Sequence, residues 1–436
     1  MDWNNLLSTS RLCSENGIGD GIRTEYYRDF DRVVFSASFR RLARKTQVHP
    51  LSFNDHIHNR LTHSIEVSSV GRSLGLSIAN KIQDKLPPEI TNIDFASIIQ
   101  AACVAHDIGN PPFGHAGEFA IRQWFSDNSA LLNATLTEAE LKDLQRFEGN
   151  AQGFRIVSQL ENHYNNGGLR LTHATLGTLI KYPWHSDHVL AAEKEKFNIF
   201  QSESKYFKDI VTRLGLKEKQ DGTYARHPLS YLMEAADDIC YKILDVEDAL
   251  ELNILRMEDI KEIFITLAGD SDLKDIGKGF PTRKRITPFR AKAIDRLIRE
   301  VVTVFENNYS VIMSGCYEGD LISRVSNDCK ESLHEIKEIT RNDIFSYRRK
   351  IELEVGSYSS IEIILGAFVS AINEMIEKGI DNLSFKSKRI LDLMFDDLPK
   401  VPCTPYGYYM AITDFVSGMT DNYATFIAKQ ISGSAK

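Results

Sequence analysis

Cysteine is scarce. Six cysteines in 436 residues form no C-x-x-C pair, which argues against a zinc ribbon or a disulfide framework and fits reduced cytosolic thiols. Proline is also rare, 12 in all, and no Gly/Ser-rich linker, internal repeat or low-complexity tract interrupts the chain. The sequence therefore reads as one continuous mass, although at ~150 residues per domain its length would allow about three domains. Positive charge is not in excess: 52 Lys and Arg against 60 Asp and Glu give a net charge of −8, with no global pull toward nucleic acid or membrane. Long hydrophobic runs are missing too. The apolar stretch Ile361–Ile372 is about a dozen residues, short of the ~20 that cross a bilayer. The N-terminal Met-Asp-Trp-Asn-Asn has no basic segment followed by an apolar one. The cytoplasm is the expected compartment, and no membrane partner is expected. Neither a Gly-x-x-x-x-Gly-Lys loop nor a Rossmann glycine cluster is found, so no glycine cradle for phosphates is expected.

What is present is helical periodicity in a chain that is 42% apolar and 26% charged, values of a globular protein and not of a disordered or fibrous one. Ile294, Leu297, Ile298, Val301 and Phe305 recur at steps of three and four and line one helix face. Similar spacing runs through Ile65–Ile78, Ile98–Ala105, Leu229–Leu244 and Ile361–Ile376, while strand alternation is scarce. The expected fold class is all-α. Helix stops are expected at Gly109 with Pro111-Pro112, at Lys85–Pro88 and around Gly167-Gly168. The interval 184–228 is polar and reads as a mobile insertion, and new helices are expected from about residue 255.

Chemistry concentrates at His106-Asp107, where an apolar helix ends in two ionisable groups followed by Gly-Asn-Pro-Pro-Phe-Gly-His. Burying an acid and an imidazole there is costly unless something compensates, and a divalent cation such as Mn, Fe, Mg or Zn suits that donor pair. A capping Asp beside a partly buried His is the bland alternative. His63 opens another amphipathic helix. Asp237, Tyr241 and Asp245, at i, i+4 and i+8, share one helix face and interrupt an otherwise apolar segment, which favours a cavity-facing role.

The order H…HD…D resembles the HD-domain metal phosphohydrolases. The flanking text is more specific. Phe39-Arg-Arg-Leu-Ala-Arg-Lys-Thr-Gln-Val, His106-Asp-Ile-Gly-Asn-Pro-Pro-Phe-Gly-His, Phe147-Glu-Gly-Asn-Ala-Gln and Glu234-Ala-Ala-Asp-Asp-Ile resemble the bacterial deoxyguanosine triphosphate triphosphohydrolase (dGTPase) family, strongly over about 23–248 and weakly beyond. The resemblance implies an HD helical core over 60–254, carrying the 184–228 insertion. An N-terminal segment, 1–59, would contribute to the substrate site, and a helical region would follow over 255–436. It implies His63, His106, Asp107 and Asp237 as metal ligands; Asp237 is taken over Asp238 because only it places Tyr241 and Asp245 at the family's i+4 and i+8. It implies His115 and Glu118 as the catalytic pair, three apart and so on one face if helical, orienting the attacking water and handling the proton on the leaving 5′-oxygen in either division of roles. Arg60 and Lys181 with Tyr182 would meet the phosphates, Gln47 the 3′-hydroxyl, and Tyr241 the sugar at C2′, where a ribose hydroxyl would clash; Asp245 completes the substrate set. Arg341 is a further candidate for the phosphates.

The expected activity is metal-dependent hydrolysis of dGTP, with other dNTPs as further substrates, to deoxynucleoside and tripolyphosphate by water attack on the α-phosphorus. Manganese or magnesium is the expected metal, with Fe, Co and Ni tolerated. Homo-oligomers, often hexamers, are implied as well. The alternatives are another HD-type nucleotide phosphatase or phosphodiesterase, or a nucleotide- or single-stranded-DNA-binding regulatory protein. Two basic segments bear on the last. Gly21–His49 holds seven Lys/Arg against three acids and Pro281–Glu300 seven against two. The first reads as phosphate-binding near the active site. The second reads as an effector-nucleotide or single-stranded DNA surface or, with more weight, as a solvated helix face with intersubunit salt bridges.

Overall fold

The computed structural model describes residues 1–14, 23–48, 54–132, 134–161, 166–270, 273, 281–394, 397–399 and 403–434. Among them the fold is all-α, with extended pairing limited to isolated bridges such as Thr46 with Asn59. The helices that frame the site are α1 (Glu25–Val34), α2 (Arg60–Lys81), α3 (Asn92–Ala105), α4 (Gly114–Asp127), α5 (His173–Leu179), α6 (Pro228–Glu251), α7 (Met257–Ala268), α8 (Thr282–Asn307), α9 (Arg348–Lys378), α10 (Pro405–Gly418) and α11 (Asp421–Ser432). Each stretch of three-to-four periodicity named above falls inside one of them.

Local sequence explains where the central pair begins. The Asn59 side chain accepts from the backbone N–H groups of Leu61 and Thr62, and Thr62 returns the bond, so a capping box starts α2 immediately before His63. Thr91 and Asp94 do the same for α3. The two helices lie close because Gly75 has no side chain: a Cβ there would stand 2.7 Å from Ala96 Cα. Pro228 at the first turn starts α6 with its fixed φ.

Two hydrophobic clusters result. One gathers α1, α2, α3 and α5–α8 around Leu74, Ile98, Leu232 and Leu297. The other joins α4 to α9, α10 and α11 through Ile121, Phe125, Phe368 and Ile412. The site lies where α2, α3 and α6 of the first meet α4 of the second.

Two expectations need correction. The interval 184–228 is folded into the protein: Phe197, Ile199, Phe200, Ile210 and Leu214 are fully buried, and Ser204–Leu214 is an amphipathic helix. Its charged residues supply the outer face and conceal that apolar set. The apolar stretch at 361–372 is also only part of its helix. α9 is 31 residues long and, by length and composition, long and apolar enough to cross a membrane. Its Ile361, Ile364, Leu365, Phe368 and Ile372 are buried against α4, α10 and α11, as in the core helix of a globular domain, which meets the same length criterion.

Candidate active site

α3 ends at Ala105, and His106 caps it. Its Nδ1 lies 2.7 Å from the Cys103 carbonyl, so that nitrogen is the donor and Nε2 is the atom turned toward the site. From α2, His63 brings its Nε2 to 3.1 Å from Asp237 Oδ1 on α6. His106 Nε2 is 3.5 Å from the same oxygen. One donor atom from each of His63, His106 and Asp237 thus lies within 4.8 Å of the others. The Asp237 side chain keeps 34% of its surface accessible, so the cluster opens to one side. Two imidazole nitrogens and a carboxylate oxygen in a partly enclosed, one-sided cluster fit a divalent cation with free positions.

Asp107, the expected fourth ligand, stands beside this cluster. Its Oδ1 is 3.5 Å from His106 Nε2 and accepts from the Asn110 amide, while Oδ2 accepts from Arg60 Nη1 at 2.7 Å. Burial alone would push the His106 imidazole down, but Asp107 and Asp237 outweigh it and raise it to about 9. Burial likewise opposes ionisation of Asp237, and His106 with His63 holds it well below the usual carboxylate range. Asp107 is lowered against burial by Arg60 and then the two histidines. Asp238, the neighbour in sequence, pairs with Lys242 at 3.1 Å.

The second pair enters on α4 through a left-handed turn, Phe113 at φ 64° and Gly114 at φ 57°. A Cβ at Gly114 would lie 2.7 Å from Arg60 Nη2, so Arg60 packs beneath this turn as well as against Asp107. His115 Nδ1 is 2.8 Å from Glu118 Oε2, with the imidazole exposed and the carboxylate buried. Glu118 Oε1 accepts from Gly149 N at 2.7 Å. Burial would raise the Glu118 carboxyl, yet Lys196 and His115 lower it strongly. An ionised Glu118 fixes the His115 ring through Nδ1 and leaves Nε2 facing outward.

Of the expected substrate residues, Gln47 has its Oε1 buried without a protein partner, as does Asp245 with its Oδ2. Burial, then Asp248 and Asp237, pushes the Asp245 carboxyl well up. Tyr241 is half-buried one turn before it. Lys181 pairs with Glu234 at 3.0 Å, and the Tyr182 ring packs on Trp184. Arg341 is not drawn in: it is exposed and donates to Glu338. The second basic segment is largely matched within the chain. Arg285, Arg290, Lys292, Arg296 and Arg299 face Glu258, Glu247, Asp270, Asp328 and Asp295. The ends of the first, Gly21 and His49, lie outside the described residues.

Sequence reading missed Lys196, which is 2.7 Å from Glu148 and 3.9 Å from Glu118. The run Phe197-Asn198-Ile199-Phe200 directly after it was the available signal that this segment returns to the core. It also missed His58, held between Asp248 at 2.6 Å and Glu66 at 3.3 Å. Burial opposes its charge, but the two acids win and raise it to about 10. Its unfolded value is ~6.5, so the stabilisation is complete below that and is lost as pH climbs through about 10. The melting temperature of the wild type should therefore approach that of His58→Gln between pH 7 and 10; a constant gap in a thermal-melt series would contradict this.

Residues 60–170 match the family model described as HD domain, which defines the class: a helical HD-domain protein with the histidines of α2 and α3 at its centre. Over 441 residues and 99% of both chains, the protein is 44% identical to a deoxyguanosinetriphosphate triphosphohydrolase-like protein of Pseudomonas aeruginosa. It is 37% identical to a protein of the same name from Synechocystis, over 99% of both. To a deoxyguanosinetriphosphate triphosphohydrolase of Yersinia enterocolitica it is 32% identical over 91% of both. The chain belongs to the deoxyguanosinetriphosphate triphosphohydrolase family, and it is a hydrolase.

Proposed function

We propose that this hydrolase is a metal-dependent dNTP triphosphohydrolase that cleaves dGTP, and other dNTPs, to deoxynucleoside and tripolyphosphate by attack of water on the α-phosphorus. The observation that carries the reading is the His63–His106–Asp237 cluster with the His115–Glu118 pair and Arg60 lying between them. The names of the full-length relatives supply the substrate class.

His63, His106 and Asp237 would hold the cation, with Asp107 as the adjoining ligand. When bound, manganese or magnesium supplies Lewis acidity toward a phosphoryl oxygen and a lowered pKa for water. His115, oriented by Glu118, positions the water or handles the proton on the leaving 5′-oxygen. Arg60, Lys181 with Tyr182, and the newly found Lys196 face the anionic chain of the substrate. Gln47 Oε1 accepts from the 3′-hydroxyl, and Asp245 completes the substrate contacts. Tyr241 closes the C2′ face against ribonucleotides. In this reading 1–59 serves the substrate site through Gln47, 60–254 is the metal-binding core and 255–436 completes its walls.

The test is incubation with each of the four dNTPs and with GTP in Mn²⁺ or Mg²⁺, resolving products by chromatography. Tripolyphosphate with deoxynucleoside supports the proposal; inorganic phosphate alone favours another HD-type phosphatase. The reading also takes the protein as a cytoplasmic homo-oligomer, a hexamer by the resemblance. Tyr347, Ile351, Val355 and Tyr358, all exposed at steps of four, four and three along the start of α9, supply an apolar stripe suited to a second copy. Light scattering on the same preparation should give a mass above that of one chain.

A further inference from the structure

A carboxylate late in the chain touches both the turn that leads to His115 and the residue before Gln47. Asp421 opens α11 and is 2% exposed. Its Oδ1 accepts from Phe113 N at 2.9 Å, across 308 residues of sequence. Its Oδ2 accepts from Thr46 N at 3.0 Å and from the Thr46 hydroxyl. One carboxylate thus holds two separate strands of backbone. The first is the left-handed Phe113, which enters α4 two residues before His115. A non-glycine residue at positive φ persists only when its surroundings over-determine it, and the bond to Asp421 is such a constraint. The second is the residue immediately before Gln47.

A partner contact closes the same seam. Lys45, 3% exposed, donates from Nζ to the Asn110 carbonyl at 2.6 Å and to the Ser417 carbonyl at 2.5 Å. Its own carbonyl accepts from Arg60 N at 3.2 Å. Burial, with Arg41 nearby, pushes the ammonium down to about 7. The 45–47 segment is thereby tied to the start of α2, to the turn after His106-Asp107 and to both C-terminal helices.

Resting on the triphosphohydrolase reading, we infer that Asp421 is a positioning residue for catalysis. By fixing Phe113 and Thr46 at once, it sets His115 and Gln47 in register with the metal cluster, with Lys45 as the second clasp. A displacement of ~1 Å in such groups lowers turnover on the order of 100-fold. Asp421→Asn can accept with one oxygen only, so either Phe113 N or Thr46 N then faces an amide donor. Thr46→Val keeps the backbone bond, removes the hydroxyl arm and touches the Gln47 side alone.

Kinetics, Mn²⁺ titration and amide exchange on the full-length protein decide the matter. In Asp421→Asn, kcat should fall at least tenfold with Mn²⁺ affinity within threefold of wild type. Thr46→Val should raise KM several-fold with kcat within threefold. Exchange at residues 113–118 and 45–48 should quicken at least tenfold in Asp421→Asn, and the exposed neighbour Asn422→Ala should leave every readout unchanged. The inference is overturned if Asp421→Asn keeps both constants within threefold of wild type, or if kcat, Mn²⁺ affinity and melting temperature all fall together. Unchanged amide exchange overturns the clasp whatever the substrate. Should the wild type release no tripolyphosphate, the functional reading fails by itself, and exchange still decides the positioning.

Discussion

His106→Ala should lose nearly all turnover and most of its Mn²⁺ uptake while remaining folded. The imidazole makes two kinds of contact. Nδ1 anchors to the Cys103 carbonyl at the end of α3, and Nε2 faces Asp237 and Asp107 at 3.5 Å. Removing it leaves His63 and Asp237 as the remaining close donors and sets the two carboxylates against each other without the group between them. A Lewis acid at a phosphoryl oxygen supplies several kcal/mol of transition-state stabilisation, so its loss corresponds to about a thousandfold or more in kcat/KM. Isothermal titration with Mn²⁺ and product analysis, run beside a thermal melt, check the result. Retention of more than a tenth of wild-type activity would show that the cation is held elsewhere.

Glu118→Gln is expected to spare the metal site and lower kcat on the order of 100- to 10,000-fold, the range for general acid–base groups. The substituted amide has nearly the same shape, and its oxygen can still accept from Gly149 N. Its NH2 then meets His115 Nδ1, a donor facing a donor, and the ring must swing away or change tautomer. Among the described residues no other hydrogen bond holds the imidazole, which is 73% exposed. Lys196 keeps Glu148 at 2.7 Å, so no buried ammonium is stranded and the fold should survive. The discriminating pair of measurements is kcat against Mn²⁺ affinity. Loss of both would place Glu118 in the metal's support, whereas loss of neither would remove the His115–Glu118 pair from the chemistry.

What the sequence disclosed and what it withheld divide along a physical line. Helices α2, α3, α6, α8 and the second half of α9 were legible because their buried faces repeat every three to four residues. The histidines and carboxylates were legible because the motif text around them is specific. α9 was underestimated because Arg348, Lys350, Glu352 and Glu354 dilute the hydropathy of its first turns. The interval 184–228 misled for a similar reason: abundant Lys, Glu and Asp outweighed five fully buried apolar side chains. Lys196 and Asp421 were missed on different grounds. Each reaches its site through contacts spanning tens to hundreds of residues, and a single carboxylate or ammonium leaves no periodic trace. Asp107 shows a finer limit. Its place beside His106 follows from the sequence, but its engagement with Arg60 and Asn110 depends on where two other segments come to rest.

Asp421 follows His63, His106, Asp107, His115, Glu118 and Asp237 along the chain, and this sets an order of events during synthesis. A nascent chain still on the ribosome already possesses every histidine and acid of the cluster, but not the carboxylate that seats the left-handed turn and the glutamine loop. The left-handed turn and the glutamine loop therefore gain this shared anchor only once the segment that carries Asp421 has been made and has docked.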